Sequence, residues 1–482
     1  MSLKSRLIYC VFLFVTAVFL IKFDLVKLIN ICRINLTPSV VFLDGWKEPP
    51  VPVETKVYIF NYTNVDRFMS GEDEKLELQE IGPIIYHKYV KQNNLEFHED
   101  STMSYTTNFD MVFPEDLNIP GILNKTVVVP NTIVFTMATM ANNKLLMKLP
   151  MNIVLYHESL FVNRTVYDYL WNFTSPTLEK LKTVLPNYLI PSSNAGVLYN
   201  YASPLPITYN VNYGTKHGFS KFFQVNTING ATHTPGYSQG TVNNCPSVWV
   251  NESSDGTGNP PYLQKTDILN FYHYMLPKPM PSIFIREVKH GLLTLYEFSL
   301  DRNVYVHSGN FDCFDETAGI ELPDGLMDTS EISFGAPLAL SPPHFFTFYG
   351  DWEDYLDGLN PNKKEHYGCI RVEPLTGSTM LLSPKLQLNL VLSKFNFQPK
   401  INKLGGKILP LVWIDYHMET DTILSLMVYV YAMVIFLPII QMSFIVACFI
   451  GIIYEIFVLY KTSNEENEKD EVDEVEMKFV QK

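Results

Sequence analysis

Leu386-Gln387-Leu388-Asn389-Leu390-Val391-Leu392 sets four leucines on alternate positions over seven residues. That is the period of a strand with one buried face, here the leucine face. Shorter runs of the same kind lie at Val57–Tyr62, Met103–Phe109, Ile283–Val288, Leu292–Leu300 and Val304–His307. Gly82-Pro83, Pro260-Pro261, Pro342-Pro343 and Gly405-Gly406 punctuate them as turns do. Helical spacing is confined mainly to Met137–Leu149, Val166–Phe173 and Asp267–Met275. No repeat or low-complexity linker divides the region. The pattern predicts one large α+β domain, mostly antiparallel sheet.

Two charge-free stretches flank this domain. Thr422–Tyr454 runs for 33 residues without a charge, on the order of 50 Å as a helix against roughly 30 Å of hydrocarbon. It predicts a membrane span that is tilted, kinked or partly interfacial, with Pro438 as the kink. Leu7–Ile21 is a second run, of 15 residues, preceded by Lys4 and Arg6. No small-x-small cleavage site follows it, and Val26, Leu28 and Ile29 continue the apolar character, so it reads as an uncleaved signal anchor. A cleaved signal peptide is the competing reading. Lys22 and Lys27 can snorkel to the interface.

Lys4 and Arg6 before the first span and Lys461 after the second predict that both termini are cytoplasmic. The expected organisation is a cytoplasmic tail (1–6), a transmembrane helix (7–29), a lumenal or extracellular domain (30–424), a second transmembrane helix (425–458) and a cytoplasmic tail (459–482). The last 22 residues carry eight acids and four lysines, a solvated tail that should not fold alone. Six Asn-x-Ser/Thr sequons, at Asn35, Asn61, Asn124, Asn163, Asn172 and Asn251, all fall between the spans and are candidate glycosylation sites.

Composition narrows the function. The formal net charge is −14, and no basic run interleaved with aromatics occurs anywhere, which excludes nucleic-acid binding as a working idea. Gly236-Tyr237-Ser238-Gln239-Gly240 matches the nucleophile-elbow pattern, but the chemistry needs a strand before the turn and a helix after it. Neither flank of Ser238 supplies that, so an ecto-esterase is a minor reading and no catalytic residue is expected. The 11 histidines are scattered without a metal-binding spacing. His366 and Cys369 are three apart, but a lone pair of this kind is more often surface plus core than zinc. No phosphate-cradling glycine loop is present, and no metal or cofactor is expected.

Several segments together resemble the class B scavenger receptors, of the fatty-acid translocase, lysosomal integral membrane protein and sensory neuron membrane protein type. The most specific is Gly358-Leu359-Asn360-Pro361-Asn362-Lys363-Lys364-Glu365-His366, followed by Val372-Glu373-Pro374-Leu375-Thr376-Gly377 and the leucine strand. Pro343-His344-Phe345, Asp255-Gly256-Thr257 with Pro260-Pro261-Tyr262, Glu80-Ile81-Gly82-Pro83 with Tyr86, Ile59-Phe60-Asn61 and Leu170-Trp171 fit other family segments. The resemblance spans about Val53 to Trp413.

It implies a β-barrel-like ectodomain with an apical helical bundle and an internal apolar tunnel, anchored by two transmembrane helices. It further implies a receptor that captures fatty acid, sterol, phospholipid, lipoprotein or protein ligands at the apex and passes lipid towards the bilayer. The plasma membrane is expected ahead of an endosome or lysosome, and a homo-oligomer is a possible state. A lysosomal lipid exporter or sorting receptor of the same fold is the alternative, and a ligand-gated channel a minor one. Cys245 and Cys313 match one family disulfide, and the family's next cysteine is Asp315 here, so one disulfide is expected. Where some relatives carry apical lysines, this chain reads Ile153-Val154-Leu155-Tyr156-His157. Lys144, Lys148, His157 and Arg164 are the residues left to contact an anionic ligand there, unless they are simply a solvated helix face.

Overall fold

The computed structural model describes residues 3–35, 42–142, 148, 151–152, 156–176, 178–179, 194–199, 206–234, 248–273, 276–307, 316–317, 320–333, 335–395, 399–421 and 423–480. The chain forms two compact units, residues 1–33 with 424–482 and residues 34–423.

Among the described residues two helices are long and apolar enough to cross a membrane, and both belong to the smaller unit. Helix α1 covers Leu3–Lys22 and α2 Leu25–Ile34; the break between them falls at Phe23-Asp24. On the C-terminal side α3 (Leu424–Tyr431) passes through a π-turn at Ala432–Phe436 into α4 (Leu437–Val480). Pro438 sits just after that turn, where its missing N–H and ring disturb the i to i−4 ladder. Helices α1 and α4 pair antiparallel: Arg6 Nη1 meets Glu455 Oε2 at 2.9 Å, while Gln441 Nε2 donates to the carbonyls of Leu20 (2.6 Å) and Phe23 (2.7 Å). Gly451 permits the close approach, since a Cβ there would lie 2.8 Å from Leu13 Cδ1.

The larger unit is built on one sheet. Its strands are β1 (Val53–Tyr62), β2 (Leu76–Phe97), β3 (Thr102–Val112), β4 (Ile207–Asn212), β5 (Val225–Ile228), β6 (Leu269–Phe271), β7 (Met280–His290), β8 (Leu293–Leu300), β9 (Leu338–Ser341), β10 (Cys369–Glu373), β11 (Ser378–Ser383), β12 (Lys385–Val391) and β13 (Ile408–Glu419). The hydrogen-bonded path runs β6-β7-β8-β10-β11-β13-β1-β2-β3-β4-β5, with β12 on β13 and β9 on β12. All of these pairings are antiparallel. The mainly antiparallel α+β expectation therefore holds.

The barrel-like expectation needs correction. Among the described residues the path ends on β5 and β6, which no strand joins. Only Ser253-Ser254 spans the gap: Val225 N–H donates to Ser253 O (2.8 Å) and Ser254 N–H to Asn270 O (2.7 Å). Two residues cannot supply a ladder, so the sheet remains open.

Two further expectations fail locally. Leu269–Phe271, inside the stretch read as helical, pairs with β7, where tertiary pairing overrides the local spacing and buries Leu269. Val304 and Tyr305, which open the run Val304–His307 read as a strand, instead end a 3-10 turn, Arg302–Tyr305, whose N-cap Asp301 accepts the Asn303 N–H. Central strands are covered on both faces: Phe60, Tyr62, Leu409, Leu411 and Trp413 enter one core, and Val57, Ile59 and Val412 another. Val57–Phe60 of β1 and Ile408–Ile414 of β13 accordingly read as continuous apolar runs.

Candidate functional site

The register of β1 brings the resemblance-bearing segments together. Tyr58 lies opposite Trp413 of β13, and Phe60 opposite Glu80 of β2. Directly opposed side chains on one face are neighbours, and the Tyr58 and Trp413 rings stack at 3.8 Å, almost parallel. Trp413 Nε1 then donates to Glu80 Oε2 at 2.7 Å.

His344 arrives from the Pro343–Phe345 turn. His344 and Phe345 both adopt left-handed backbone conformations, φ 52° and 53°, which cost a non-glycine residue free energy unless surrounding contacts enforce them. Gln387 and Asn389 supply those contacts. Gln387 Oε1 accepts the His344 N–H at 2.7 Å, and Gln387 Nε2 donates to Asn389 Oδ1. Asn389 Nδ2 in turn donates to Ser341 Oγ and Ala339 O. Both amides have 0 % exposure, while Leu386 and Leu388 are only partly buried. The alternation in Leu386–Leu392 is thus real, but its polar face is buried too, for hydrogen bonding rather than apolar packing.

The Gly358–His366 segment closes the cluster. Gly358 has φ +90°, and a Cβ there would sit 2.1 Å from Leu78 O, so only glycine fits. Beyond it, Asn360 N–H donates to His344 Nδ1 (3.0 Å) and Asn362 N–H to His366 Nδ1 (2.9 Å). The imidazoles stack at 4.3 Å, with Trp413 edge-on to His366. His344 Nε2 donates to Glu80 Oε2 at 2.7 Å. Burial works against the Glu80 charge, but the bonds from His344 and Trp413 outweigh it and hold the carboxyl below its ordinary value. Burial, with His344 alongside, pushes the His366 imidazole down to about 4. Burial first, then Asp415 and Glu80, pushes the Tyr58 phenol up to about 12.

Glu80, His344 and His366 are also, among the described residues, three metal-type donors within 4.8 Å of one another. A neutral imidazole has one lone pair. In each ring it points at Nδ1, where a backbone N–H already uses it. A cation could be held at Nε2 only after both backbone donors lost their acceptors, so the trio as arranged is a hydrogen-bonded junction.

A second cluster lies where β10 turns into β11. Buried Glu373 accepts Leu375 N–H, Thr376 N–H and Thr376 Oγ1–H, closing the Pro374–Gly377 turn. Gly377 (φ +71°) lies against the Asn259-Pro260 backbone, with Pro260 O 2.5 Å from where a Cβ would be. Leu263 N–H donates to Pro374 O. Asp255 accepts Tyr105 Oη–H at 2.5 Å and both donors of Thr257; burial outweighs these bonds and raises its carboxyl. These motif residues fix turns against one another.

The candidate ligand-contact, disulfide, glycosylation and nucleophile residues of the sequence reading are placed as follows. Ser238, Cys245, Cys313 and Lys144 lie outside the described residues. Lys148 is half-buried. His157 is exposed beside Tyr156, and the Arg164 guanidinium lies 4.5 Å over the Phe173 ring. Asn35, Asn124, Asn163, Asn172 and Asn251 are exposed. Asn61 is half-buried, its Oδ1 accepting Val128 N–H and its Nδ2 donating to Gln79. Trp413, Gln387 and Asn389 are the positions of the junction whose part in it the sequence reading missed. The available signal was an amide pair within an apolar strand, since a buried polar group is the informative departure from pattern.

A large β-rich domain flanked in the chain by two helices apolar and long enough to cross a membrane defines the class, an integral membrane protein with two candidate spans. The CD36 family model matches residues 7–459, and the chain belongs to that family, the class B scavenger receptors. Scavenger receptor class B member 1 of Bos taurus is 26% identical over 396 residues, 81% of this chain and 76% of that protein. The Mus musculus protein of the same name is 25% identical over 395 residues, 81% of this chain and 75% of that protein. Lysosome membrane protein 2 of Rattus norvegicus is 25% identical over 397 residues, 78% of this chain and 77% of that protein.

Proposed function

We propose that this protein is a two-span receptor that captures lipid or lipoprotein ligands on its ectodomain and passes lipid towards the bilayer. It acts by binding and transfer, without covalent chemistry. The family match across residues 7–459 carries the reading, together with relatives named as scavenger receptors. An enclosed apolar path is the physical basis of the transfer step: it spares an acyl chain from water, roughly 0.8 kcal/mol per methylene. Two further points support the topology. Arg6 meets Glu455, so both chain ends lie at one end of the helix pair, and the charge rule applied to Lys4, Arg6 and Lys461 supports the reading of that end as the cytoplasmic one.

Purified full-length protein, extracted for co-purifying lipid and analysed by mass spectrometry, tests the cargo. A sterol, fatty acid or phospholipid in stoichiometric amount is the expected result. Protein that carries none, and that leaves fluorescent fatty-acid uptake unchanged when expressed in cells, would overturn the transfer reading. The apical contribution is tested by Lys144→Glu with Lys148→Glu, expected to reduce uptake of an anionic ligand. The similarity to lysosome membrane protein 2 of Rattus norvegicus, 25% identical over 397 residues, favours a second reading, a lysosomal lipid exporter or sorting receptor. The steady-state location of tagged protein separates the two.

A further inference from the structure

A tight turn in the larger unit carries an apolar residue where a polar one is the rule. Strands β7 and β8 pair up to His290 opposite Leu293, leaving Gly291-Leu292 as a two-residue hairpin loop. Gly291 has φ +58°, as the first position of such a loop favours. Leu292 follows it with 74 % of its surface exposed. A single exposed leucine is unremarkable by itself; its surroundings give it meaning.

His290 Nε2 lies 3.7 Å from Asp421 Oδ2. Asp421 is the last charged residue before the uncharged run that begins at Thr422. Helix α3 starts three residues later, at Leu424. It has no polar stripe: Leu424 and Val428 are 77 % and 60 % exposed, and no position from Leu424 to Tyr431 is charged. A helix whose exposed positions are uncharged and mainly apolar, as Leu424, Ser425 and Val428 are, is suited to lipid around it. Lipid around α3 brings Asp421 to the headgroup level, and His290 with it. At about 3.3–3.6 Å per extended residue, chain connectivity alone keeps Asp421 within about 11 Å of the start of α3, and Leu292 is two residues from the Asp421 partner His290. Beside the loop, Lys289 Nζ donates to Thr294 Oγ1, which places an ammonium next to the exposed leucine.

We propose that the Lys289–Leu292 hairpin tip is a bilayer-docking element. Leu292 enters the headgroup–acyl boundary, and Lys289 and His290 lie among the lipid phosphates. Such a contact combines a small buried apolar area with electrostatic attraction to anionic lipid. It acts as a third point of attachment beside the two spans and restrains the tilt of the larger unit over the membrane.

The test uses the full-length chain in 4:1 phosphatidylcholine:phosphatidylserine vesicles that contain a headgroup-nitroxide lipid. An environment-sensitive non-canonical fluorophore replaces Leu292 in one protein and Tyr349, 84 % exposed, in another. The expected result is blue-shifted emission at position 292, with at least about threefold stronger nitroxide quenching than at position 349. Unlabelled Leu292→Ser should keep the wild-type unfolding midpoint, which separates membrane contact from core packing. Equal quenching at the two positions overturns the proposal. So does quenching at 292 that follows protein density in the vesicle rather than nitroxide content, which would assign the tip to a second copy of the chain. A lowered midpoint for Leu292→Ser, with no preferential quenching, would make the residue structural and likewise overturn it.

Discussion

The stacked pair His344–His366 makes the acid stability of this protein a specific test of the junction. His366 is 4 % exposed, its Nδ1 accepts the Asn362 N–H, and burial lowers its imidazole to about 4. In the unfolded chain the same group titrates near 6.5. Between those values the unfolded state binds the proton first, so stability is complete above about pH 6.5 and falls as the pH drops towards 4. At pH 5 the loss from this group alone is about 2 kcal/mol, from roughly 1.4 kcal/mol per pH unit between the two protonation curves. Glu80, held below its ordinary value, acts in the same direction. Asp328 opposes them: burial raises its carboxyl to about 6, so its protonation favours the folded state as the pH falls below 6. His366→Asn keeps an acceptor for the Asn362 N–H and removes the titration. Urea unfolding of the detergent-solubilised full chain, followed by tryptophan emission at pH 7.5 and pH 5.0, gives each protein's loss. The variant should lose about 2 kcal/mol less than wild type. The comparison between pH values cancels the cost of losing the ring itself. Equal losses, to within about 0.5 kcal/mol, would show that His366 takes up its proton in the fold without breaking the Asn362 contact, and the reasoning fails.

Other perturbations bear on separate contacts. Gly358→Ala should cost more than about 3 kcal/mol, because its Cβ would overlap Leu78 O at a left-handed backbone position; a thermal midpoint near wild type would contradict the geometry. Trp413→Phe keeps a ring over Tyr58 but removes the donor to Glu80. It should cost about 1–2 kcal/mol, as one hydrogen bond to a charged acceptor does, and should raise the Glu80 pKa as followed by the carboxyl's infrared band. Cys245 and Cys313 are expected to be joined. Non-reducing peptide mapping checks this, and an alkylated Cys245 would rule it out.

How much of this was legible in the sequence depended on whether each signal was local. The strand at Leu386–Leu392 was readable because an alternating period survives whatever covers it, and β12 occupies Lys385–Val391. Which face is inside was not readable. Burial of Gln387 and Asn389 is decided by β9 and the His344 turn, whose hydrogen-bonding partners lie 43 to 50 residues away along the chain. Asp267–Met275 misled for a related reason: three- and four-residue spacing in a short window is compatible with helix, and pairing with β7 overrode it. The spans needed no tertiary information, since 33 uncharged residues say the same thing in any fold.

The junction shows why the segments that carried the resemblance contain so little chemistry of the catalytic kind. Glu80, His344, Gln387, Asn360, Asn362 and Trp413 come from five separate stretches of chain, yet nearly every polar atom named above has its partner within the cluster. An arrangement so fully satisfied is costly to disturb, since removing one partner leaves another buried group unpaired. It has few atoms left for a substrate, and a metal would have to evict backbone N–H groups. Its physical consequence is a fixed relation between β1, β2, β12 and β13, the strands at the middle of the sheet. The surfaces open to a ligand lie elsewhere, at exposed positions such as Tyr156 and His157. Ligand choice in this chain should therefore respond to substitutions at those exposed positions, and stability to substitutions at the junction.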